Sequence, residues 1–336
     1  MTTAGLPRLL IVNCGGTIAS LGTSNLDVLD YPDEGRKLPI ADIIARVPEI
    51  LTVADPELQD FRAIGSSAMT GTDWLALRAL IQARCAAESG IAGVVVLHGT
   101  GSLEETAFFL HLTLDIAQTV VLVGAQRPLS AIGSDAPINL FNAVRVAADP
   151  NARGRGVLVV LNDEIHSARD VVKASTYRVQ AFRSADFGML GVADGDGVHF
   201  FRTLDRPHTR TSPFASLALD VDFPRVDILY AHVGADAVFI DAAIAAGAKG
   251  LVSAGFAPGL VPPAAKSALE KLADQGLPIV VCSRAASGRI APRRYVATHR
   301  MVAGQDLSPQ KARILLMLCV ARRLSLADIQ ATFAAV

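Results

Sequence analysis

The stretch "GVVVLHGTGSLEETAFFLHLTLDIAQTVVLVGA", residues 93–125, alternates between two kinds of pattern. Two short apolar runs, "GVVVL" and "TVVLV", flank a polar loop and a longer amphipathic stretch, "EETAFFLHLTLDIAQ". Short apolar runs between polar residues are typical of buried strands, and the amphipathic stretch is typical of a helix that covers them. The stretch therefore predicts a β–α–β unit with parallel strands.

The same alternation extends on both sides of this unit. The stretches "LLIVN" (9–13), "DWLALRALIQARCAAE" (73–88) and "GVLVVLNDEI" (156–165) predict a strand, a helix and a strand in turn. The chain is 51% hydrophobic but 5% aromatic, a composition typical of helices that cover both faces of parallel strands. We therefore expect an α/β fold with a larger N-terminal parallel-sheet domain followed by a smaller C-terminal α/β domain.

A break in the pattern separates these two domains. Residues 206–225, "RPHTRTSPFASLALDVDFPR", carry three prolines and no sustained periodicity, which predicts an interdomain linker. We therefore place an N-terminal α/β domain at residues 1–205 and a second α/β domain at residues 226–336, where strand and helix patterns resume.

Charge and residue usage exclude several classes of function. The chain has 31 Lys and Arg against 32 Asp and Glu, so no overall field attracts nucleic acid or a membrane surface. The four cysteines form no CxxC pair and the seven histidines no HExxH motif, so we expect reduced, buried thiols and no metal. No apolar run approaches the ~20 residues of a membrane span, and the first residues carry no basic leader, so we expect a cytoplasmic protein.

Ligands of open parallel sheets bind beyond the carboxyl ends of the strands. Polar residues that follow the apolar runs are Asn13–Thr17, Gly65–Ser67, His98–Ser102, Gly124–Pro128 and Asn162–Glu164. On its own the loop at 98–102 could hold an anion, present a nucleophilic hydroxyl, or simply join a strand to a helix.

Four motifs, in their order and spacing, closely resemble the bacterial asparaginase/glutaminase family. They are "GGTIA" (15–19), "HGTGSLEETA" (98–107), "GAQRPLSAIGSDAPINLFNAV" (124–144) and "VLVVLNDEIHSARDVVKASTYRVQAF" (157–182). "GLVSAG" (250–255) and "SPQKARILLML" (308–318) are similar to the family's second domain. The resemblance implies an amidohydrolase of small-molecule amides without a cofactor, usually a homotetramer built from close dimers.

The resemblance also implies roles for individual residues. Thr17 matches the nucleophile that forms an acyl-enzyme, Thr100 a second essential threonine, and Lys173 the lysine that supports it. Tyr31 matches the tyrosine of a mobile flap, and Ser66 matches the serine that holds the substrate carboxylate.

The chemistry of these groups agrees with the implied roles. A threonine hydroxyl needs a base or a hydrogen-bond network to lose its proton, and a lysine can act as that base when burial lowers its pKa. Backbone N–H groups of the loop that contains Gly99 and Gly101 could stabilise an oxyanion. We therefore assign Ser67, Gly99 and Gly101 to substrate binding together with Ser66.

Two positions depart from the family pattern. Gly101 stands where the family typically has an aspartate that binds the substrate's α-ammonium group, and residues 287–300, "SGRIAPRRYVATHR", lack the acid that a neighbouring subunit supplies. Loss of one buried partner of an ammonium costs about 2 to 5 kcal/mol. We therefore expect the substrate to be an amide, lactam or imide without a free α-amino group.

Two alternatives stay open. The protein could be an ordinary L-asparaginase in which Ser102 or Glu104 replaces the missing acid, or a catalytically weakened homologue that binds a small ligand. The helix dipole favours a structural role for Glu104. We also expect Asp135 to anchor its loop, Asp163 and Glu164 to fix the loop of Lys173, and Arg127 to give structural support.

Overall fold

The predicted β–α–β unit at residues 93–125 is present in the structure, a computed structural model that describes residues 5–87, 90–218 and 222–336. Its strands are Ile91–Leu97 and Thr119–Val123, which pair in parallel, and its helix is Leu103–Thr113. Residues 94–97 and 120–123 are fully buried, so both faces of the sheet are covered at these strands.

This unit lies in the first of two compact units into which the chain divides, Met1–Leu219 and Asp220–Val336. The strands of the first unit are β1 Arg8–Gly15, β2 Ser20–Leu21, β3 Arg36–Lys37, β4 Asp55–Ile64, β5 Ile91–Leu97, β6 Thr119–Val123, β7 Val157–Leu161, β8 Glu164–Ser167, β9 Val172–Lys173, β10 Phe182–Arg183, β11 Gly191–Asp194 and β12 Gly197–Phe200. Its helices are α1 Tyr31–Glu34, α2 Ile40–Ile44, α3 Gly71–Ala87, α4 Leu103–Thr113 and α5 Ala136–Ala148.

The main sheet has the strand order β12-β11-β8-β7-β6-β5-β1-β4. Strands β4, β1, β5, β6 and β7 are parallel, as predicted, whereas β8, β11 and β12 are antiparallel. The prediction of one strand over residues 156–165 is wrong, because Asn162 and Asp163 have φ angles of 51° and 64° and turn the chain into a hairpin. Asn and Asp tolerate this left-handed conformation better than most residues.

Two glycines bring the loops after β1 and β5 into contact. Gly16 has a φ of 85°, and a Cβ on it would lie 2.2 Å from the Cα of Gly99. A Cβ on Gly99 would in turn lie 2.9 Å from the Cβ of Ser66, in the loop after β4. The three loops therefore meet at one edge of the sheet, and the backbone approach between Gly16 and Gly99 requires residues without a side chain.

The second unit is a smaller α/β layer, as predicted. Its strands are β13 Val226–Tyr230, β14 Gly250–Gly255, β15 Ile279–Ser283 and β16 Val302–Ala303, which form one parallel sheet in this order. Its helices are α6 Val238–Ala245, α7 Pro263–Asp274, α8 Arg294–Thr298, α9 Pro309–Ala321 and α10 Leu326–Ala335. In the part of the chain that the structure describes, no helix has both the length and the apolar character needed to cross a membrane.

The predicted linker at residues 206–225 packs against the first unit over part of its length. Phe214 is fully buried, and the carbonyl of Ala215 accepts a hydrogen bond from Arg78 of α3 at 3.1 Å. Arg78 is itself 2% exposed, so its guanidinium needs such acceptors. Residues 219–221 lie outside the described residues, and the predicted limits of the linker stay a prediction.

The four cysteines are buried free thiols, as the sequence predicted. Burial raises the pKa of Cys14, at the end of β1, to about 12, so this thiol stays protonated and unreactive. Across residues 5–87, 90–218 and 222–336, no three His, Cys, Asp or Glu side chains are grouped so that they could hold a metal ion.

The contact at Gly16 leads to a test with a matched control. We expect Gly16→Ala to lower the free energy of unfolding of the first unit by about 1–3 kcal/mol more than Gly154→Ala, because its new methyl group meets backbone that cannot rotate away. Gly154 also has a positive φ, 72°, but has open space at its Cβ position, so its variant reports the conformational cost alone, about 1–2 kcal/mol.

Urea unfolding followed by tryptophan fluorescence measures this difference. The single tryptophan of the chain, Trp74, is buried in α3 and reports on the first unit alone. Equal losses of stability in the two variants would show that the contact between Gly16 and Gly99 does not constrain the fold.

Candidate active site

Thr17 lies at the carboxyl end of β1, where two glycines turn the chain. Gly15 and Gly16 have φ angles of 83° and 85°, and a short 3₁₀ helix, Thr17–Ala19, follows them. The hydroxyl of Ser20 donates to the carbonyl of Gly16 at 2.8 Å and fixes the turn. The half-buried Thr17 side chain is thereby presented at the edge of the sheet where ligands of such folds bind.

Tyr31 reaches Thr17 from the start of α1. Its phenol oxygen lies 2.8 Å from Oγ1 of Thr17. The carboxylate of Asp27 accepts the backbone N–H groups of Asp30 and Tyr31 at 3.0 and 3.1 Å, which fixes the entry into α1. Partial burial raises the pKa of Tyr31, while its hydrogen bond to Thr17 acts in the opposite direction, so the phenol is neutral near pH 7.

A second hydroxyl lies in the adjoining loop and is paired with an amine. Nζ of Lys173 donates to Oγ1 of Thr100 at 2.7 Å, and Thr100 is 6% exposed. Thr100 follows β5, whereas Lys173 lies on β9, which forms a separate two-stranded ribbon with β10. Because Gly16 contacts Gly99, the pair of Thr17 and Tyr31 lies beside the pair of Thr100 and Lys173.

Lys173 experiences two opposed electrostatic effects. Burial lowers its pKa, because the charged form loses hydration, and the carboxylate of Glu104 raises it. Glu104, 7% exposed in α4, also accepts the backbone N–H of Lys173 at 3.0 Å. The sequence did not predict this contact, since 69 residues separate the two positions and helix N-termini commonly carry glutamate.

The prediction for Asp163 and Glu164 holds for one of the two. Glu164 accepts a hydrogen bond from Gln180 at 3.0 Å. Gln180 belongs to the segment between β9, which carries Lys173, and β10. Asp163 instead accepts from Asn142 of α5 at 2.8 Å, so its predicted role at the Lys173 loop is wrong. The hairpin turn at positions 162 and 163 separates the two side chains and explains the difference.

Ser66 contacts the Thr100 loop at two points. Its hydroxyl accepts the backbone N–H of Gly101 at 3.1 Å, and its carbonyl accepts the hydroxyl of Ser102 at 2.7 Å. A Cβ on Gly101 would lie 2.9 Å from Oγ of Ser66, so the Ser66 hydroxyl lies where a side chain at position 101 would begin. Ser67 is exposed next to it.

His98 supports the same loop from the interior. Its Nδ1 lies 2.8 Å from the carbonyl of Gly99, and its Nε2 lies 3.0 Å from the hydroxyl of Thr106, which also accepts from Trp74 at 2.9 Å. Burial lowers the pKa of His98 to about 4, so the ring is neutral at pH 7. It holds the loop in place, and its protonation state does not change near neutral pH.

Asp135 anchors the loop after β6, as predicted. Its carboxylate accepts the backbone N–H groups of Gln126 and Arg127, each at 2.9 Å, and the amide of Asn139 at 3.0 Å. The guanidinium of Arg127 donates to the carbonyl of Gly133 at 2.7 Å, which confirms its predicted structural role. These bonds use Asp135 within its own loop.

Two family models cover nearly the whole chain. The N-terminal asparaginase domain matches residues 8–206, and the glutaminase/asparaginase C-terminal domain matches residues 225–333.

Relatives and a solved structure agree with these matches. The chain is 37% identical over 328 residues to "L-asparaginase 2" of Bacillus subtilis, covering 98% of this chain and 86% of that protein. It is 40% identical over 319 residues to "Probable L-asparaginase periplasmic" of Haemophilus influenzae, covering 94% and 89%. The crystal structure of a "Probable Cytoplasmic L-asparaginase" from Campylobacter jejuni matches with a TM-score of 0.92 at 38% identity, over 98% of this chain and 99% of that chain. This protein is therefore a hydrolase acting on C–N bonds, and it belongs to the asparaginase/glutaminase family of amidohydrolases.

Proposed function

We propose that this protein hydrolyses a small-molecule amide through an acyl-enzyme on Thr17. The observation that carries the proposal is the pair of short contacts, Thr17 to Tyr31 at 2.8 Å and Thr100 to Lys173 at 2.7 Å, on loops in backbone contact. A hydroxyl nucleophile needs a neighbouring group that takes its proton, and each threonine has one.

In the first half of the reaction, Oγ1 of Thr17 attacks the amide carbonyl. The C–N bond breaks, an ester forms on Thr17, and the hydroxyl proton passes through the phenol of Tyr31 to the amine that leaves. Backbone N–H groups of the Thr100 loop stabilise the negative oxygen of the tetrahedral intermediate.

In the second half, Lys173 and Thr100 activate water. Neutral Lys173 accepts a proton from water through the Thr100 hydroxyl, and the water oxygen bonds to the carbonyl carbon of the ester. The bond from this carbon to Oγ1 of Thr17 then breaks, Lys173 returns the proton through Thr100 to Thr17, and the product acid leaves. Burial of Lys173 favours the neutral amine that this step requires.

The substrate in this proposal lacks a free α-amino group. Position 101 carries no side chain, and two carboxylates, Glu104 and Asp135, already accept backbone N–H groups: Glu104 from Lys173, and Asp135 within its own loop. Ser102 uses its hydroxyl on the carbonyl of Ser66, so it does not substitute for the acid either. The relatives called L-asparaginases favour L-asparagine as the second candidate, and the two paired hydroxyls disfavour a ligand-binding homologue without catalysis.

The assembly and location that we propose are a cytoplasmic homotetramer built from close dimers, acting on a small molecule without nucleic acid, membrane or cofactor. Val233, Phe239 and Tyr230 are 90%, 74% and 64% exposed on the second unit, and such apolar side chains are commonly covered by another subunit. One similar protein is described as cytoplasmic and another as periplasmic. Sedimentation velocity checks the tetramer, and a monomer at micromolar concentration would contradict it.

The nucleophile is tested with Thr17→Ala. We expect the rate of amide hydrolysis to fall by a factor on the order of 10⁴ or more, because the ester intermediate cannot form. The substrates are L- and D-asparagine, L-glutamine, succinamate, small N-acyl amides and cyclic imides, followed by mass spectrometry because imide opening releases no ammonia. Thr17→Ser retains a hydroxyl and serves as the control. Unchanged turnover in Thr17→Ala would contradict the acyl-enzyme.

The pocket at position 101 is tested with Gly101→Asp against Gly101→Asn. We expect the aspartate variant to raise kcat/KM for L-asparagine relative to succinamate by ~30-fold or more, since it restores a partner for the ammonium. The asparagine variant has the same size without the charge and displaces the Ser66 hydroxyl equally. Efficient use of L-asparagine by the unaltered enzyme would instead identify an ordinary L-asparaginase.

The base is tested with Glu104→Gln. The negative charge of Glu104 raises the pKa of Lys173, so its removal lowers that pKa and neutral lysine becomes available at lower pH. We expect the rising limb of the kcat–pH profile to move to lower pH, while the glutamine oxygen still accepts the N–H of Lys173. A limb that stays in place would show that Lys173 is not the titrating base.

A further inference from the structure

Lys173 lies on a ribbon that cannot hold its position alone. Strands β9 and β10 have two residues each and, within the described residues, form a two-stranded sheet of their own, apart from the eight-stranded sheet. Isolated two-stranded ribbons are marginally stable in water. A lysine that must keep a 2.7 Å contact with Thr100 therefore depends on what attaches this ribbon to the rest of the unit.

Part of the attachment is the backbone bond between Lys173 and Glu104 and the burial of Ala181 and Phe182, which are 0% and 2% exposed. These contacts hold the backbone N–H of Lys173 and give β10 an apolar anchor. Apolar contact is non-directional, so it does not fix how far β10 slides along its axis.

Four polar side chains fix the position of β10 along its axis. Nδ1 of His166 lies 3.0 Å from the hydroxyl of Ser184, and Nε2 of His166 lies 3.0 Å from a carboxylate oxygen of Glu164. The other oxygen of Glu164 accepts from the amide of Gln180 at 3.0 Å. We call these four residues the hairpin clamp.

The hairpin clamp holds β10 at both ends. Gln180 precedes this strand by two residues and Ser184 follows it directly, whereas Glu164 and His166 belong to β8 of the main sheet. Within the ribbon, Phe182 of β10 is the partner of Lys173. A shift of β10 along its axis therefore moves the backbone of Lys173.

The ring of His166 bridges Glu164 and Ser184. Because a carboxylate only accepts, Nε2–H donates to Glu164, and Nδ1 lies within hydrogen-bond distance of the hydroxyl of Ser184. His166 and Ser184 are 2% and 6% exposed, so water does not replace these bonds without opening the structure. The hydrogen bond from His166 is also the largest cause that lowers the pKa of Glu164.

We propose that His166 is a positioning residue that acts on Lys173 through the hairpin clamp and keeps its amine within hydrogen-bond distance of Thr100. The inference rests on the proposed function, in which Lys173 is the base. His166 touches neither threonine and exchanges no proton with substrate. A displacement of about 1 Å at a catalytic group costs on the order of 10²-fold in rate, so the effect belongs in kcat.

The test compares three substitutions at one position. His166→Ala removes both bonds, His166→Asn places an amide near the former Nδ1 and retains a partner for Ser184, and His166→Gln reaches towards Glu164. We expect kcat to fall 10-fold to 100-fold in the alanine variant with KM changed less than threefold, and partial recovery of kcat in the asparagine and glutamine variants. Activity is measured on the best substrate of the panel, well below the melting temperature of each variant.

His111→Asn is the matched control. His111 is also fully buried and lies near the far end of α4, where its Nδ1 accepts the N–H of Val157 at 3.2 Å. We expect it to lose stability without loss of kcat. Gln180→Ala changes an exposed member of the clamp and serves where His166→Ala does not fold; there we expect a fall in kcat of about threefold to tenfold.

Three outcomes overturn the inference. The first is full kcat in His166→Ala or, where that variant does not fold, in Gln180→Ala, and the second is a loss of kcat in His111→Asn as large as that in the clamp variants. The third is retained activity in Lys173→Met. This variant leaves the clamp intact, so the result would show that the proposed function, on which the inference rests, is wrong.

Discussion

The backbone contact between Gly16 and Gly99 is the constraint on which the rest of the site depends. β1 and β5 are neighbours in the sheet, but neighbouring strands alone leave their loops separated by the width of the side chains they carry. Because Gly16 has no side chain, its backbone approaches that of Gly99 so closely that a Cβ on Gly16 would lie 2.2 Å from the Cα of Gly99. The hydroxyl groups of Thr17 and Thr100 can then belong to one site, although the two residues are 83 positions apart in the sequence (100 − 17).

Once the loops touch, the remaining requirement is to control protons in a half-buried space. Burial favours the neutral forms of three groups here: it raises the pKa of Tyr31 and lowers the pKa values of His98 and Lys173. Glu104 limits how far the pKa of Lys173 falls. The aspartate that the family typically has at position 101 would add a second negative charge to this balance, so under the proposed function its absence would affect both the pKa of Lys173 and the recognition of an ammonium.

The sequence predicted the elements with long, regular patterns and missed the short ones. The parallel strands and α4 were predictable because their apolar runs repeat with the period of the structure they form. The strands β9 and β10 have two residues each and carry no periodic signal. The composition of residues 156–165 predicted one continuous strand, whereas the turn at Asn162 reverses the chain. Within the site, Thr17, Thr100, Lys173 and Ser66 were named through the family motifs, whereas the bond between Glu104 and Lys173 depends on a fold that no local pattern contains.

Position 101 shows how specificity and geometry are coupled in this site. The Ser66 hydroxyl lies 2.9 Å from where a Cβ of residue 101 would be and accepts that residue's N–H, so glycine does more than leave a gap. It lets the serine bind the loop that holds Thr100. A side chain there would force the hydroxyl to rotate and give up that bond, which would free both the hydroxyl and the N–H to bind substrate. Under the proposed function, substrate choice at position 101 would therefore depend on these two groups together, because a change at one alters the hydrogen bonds that are available to the other.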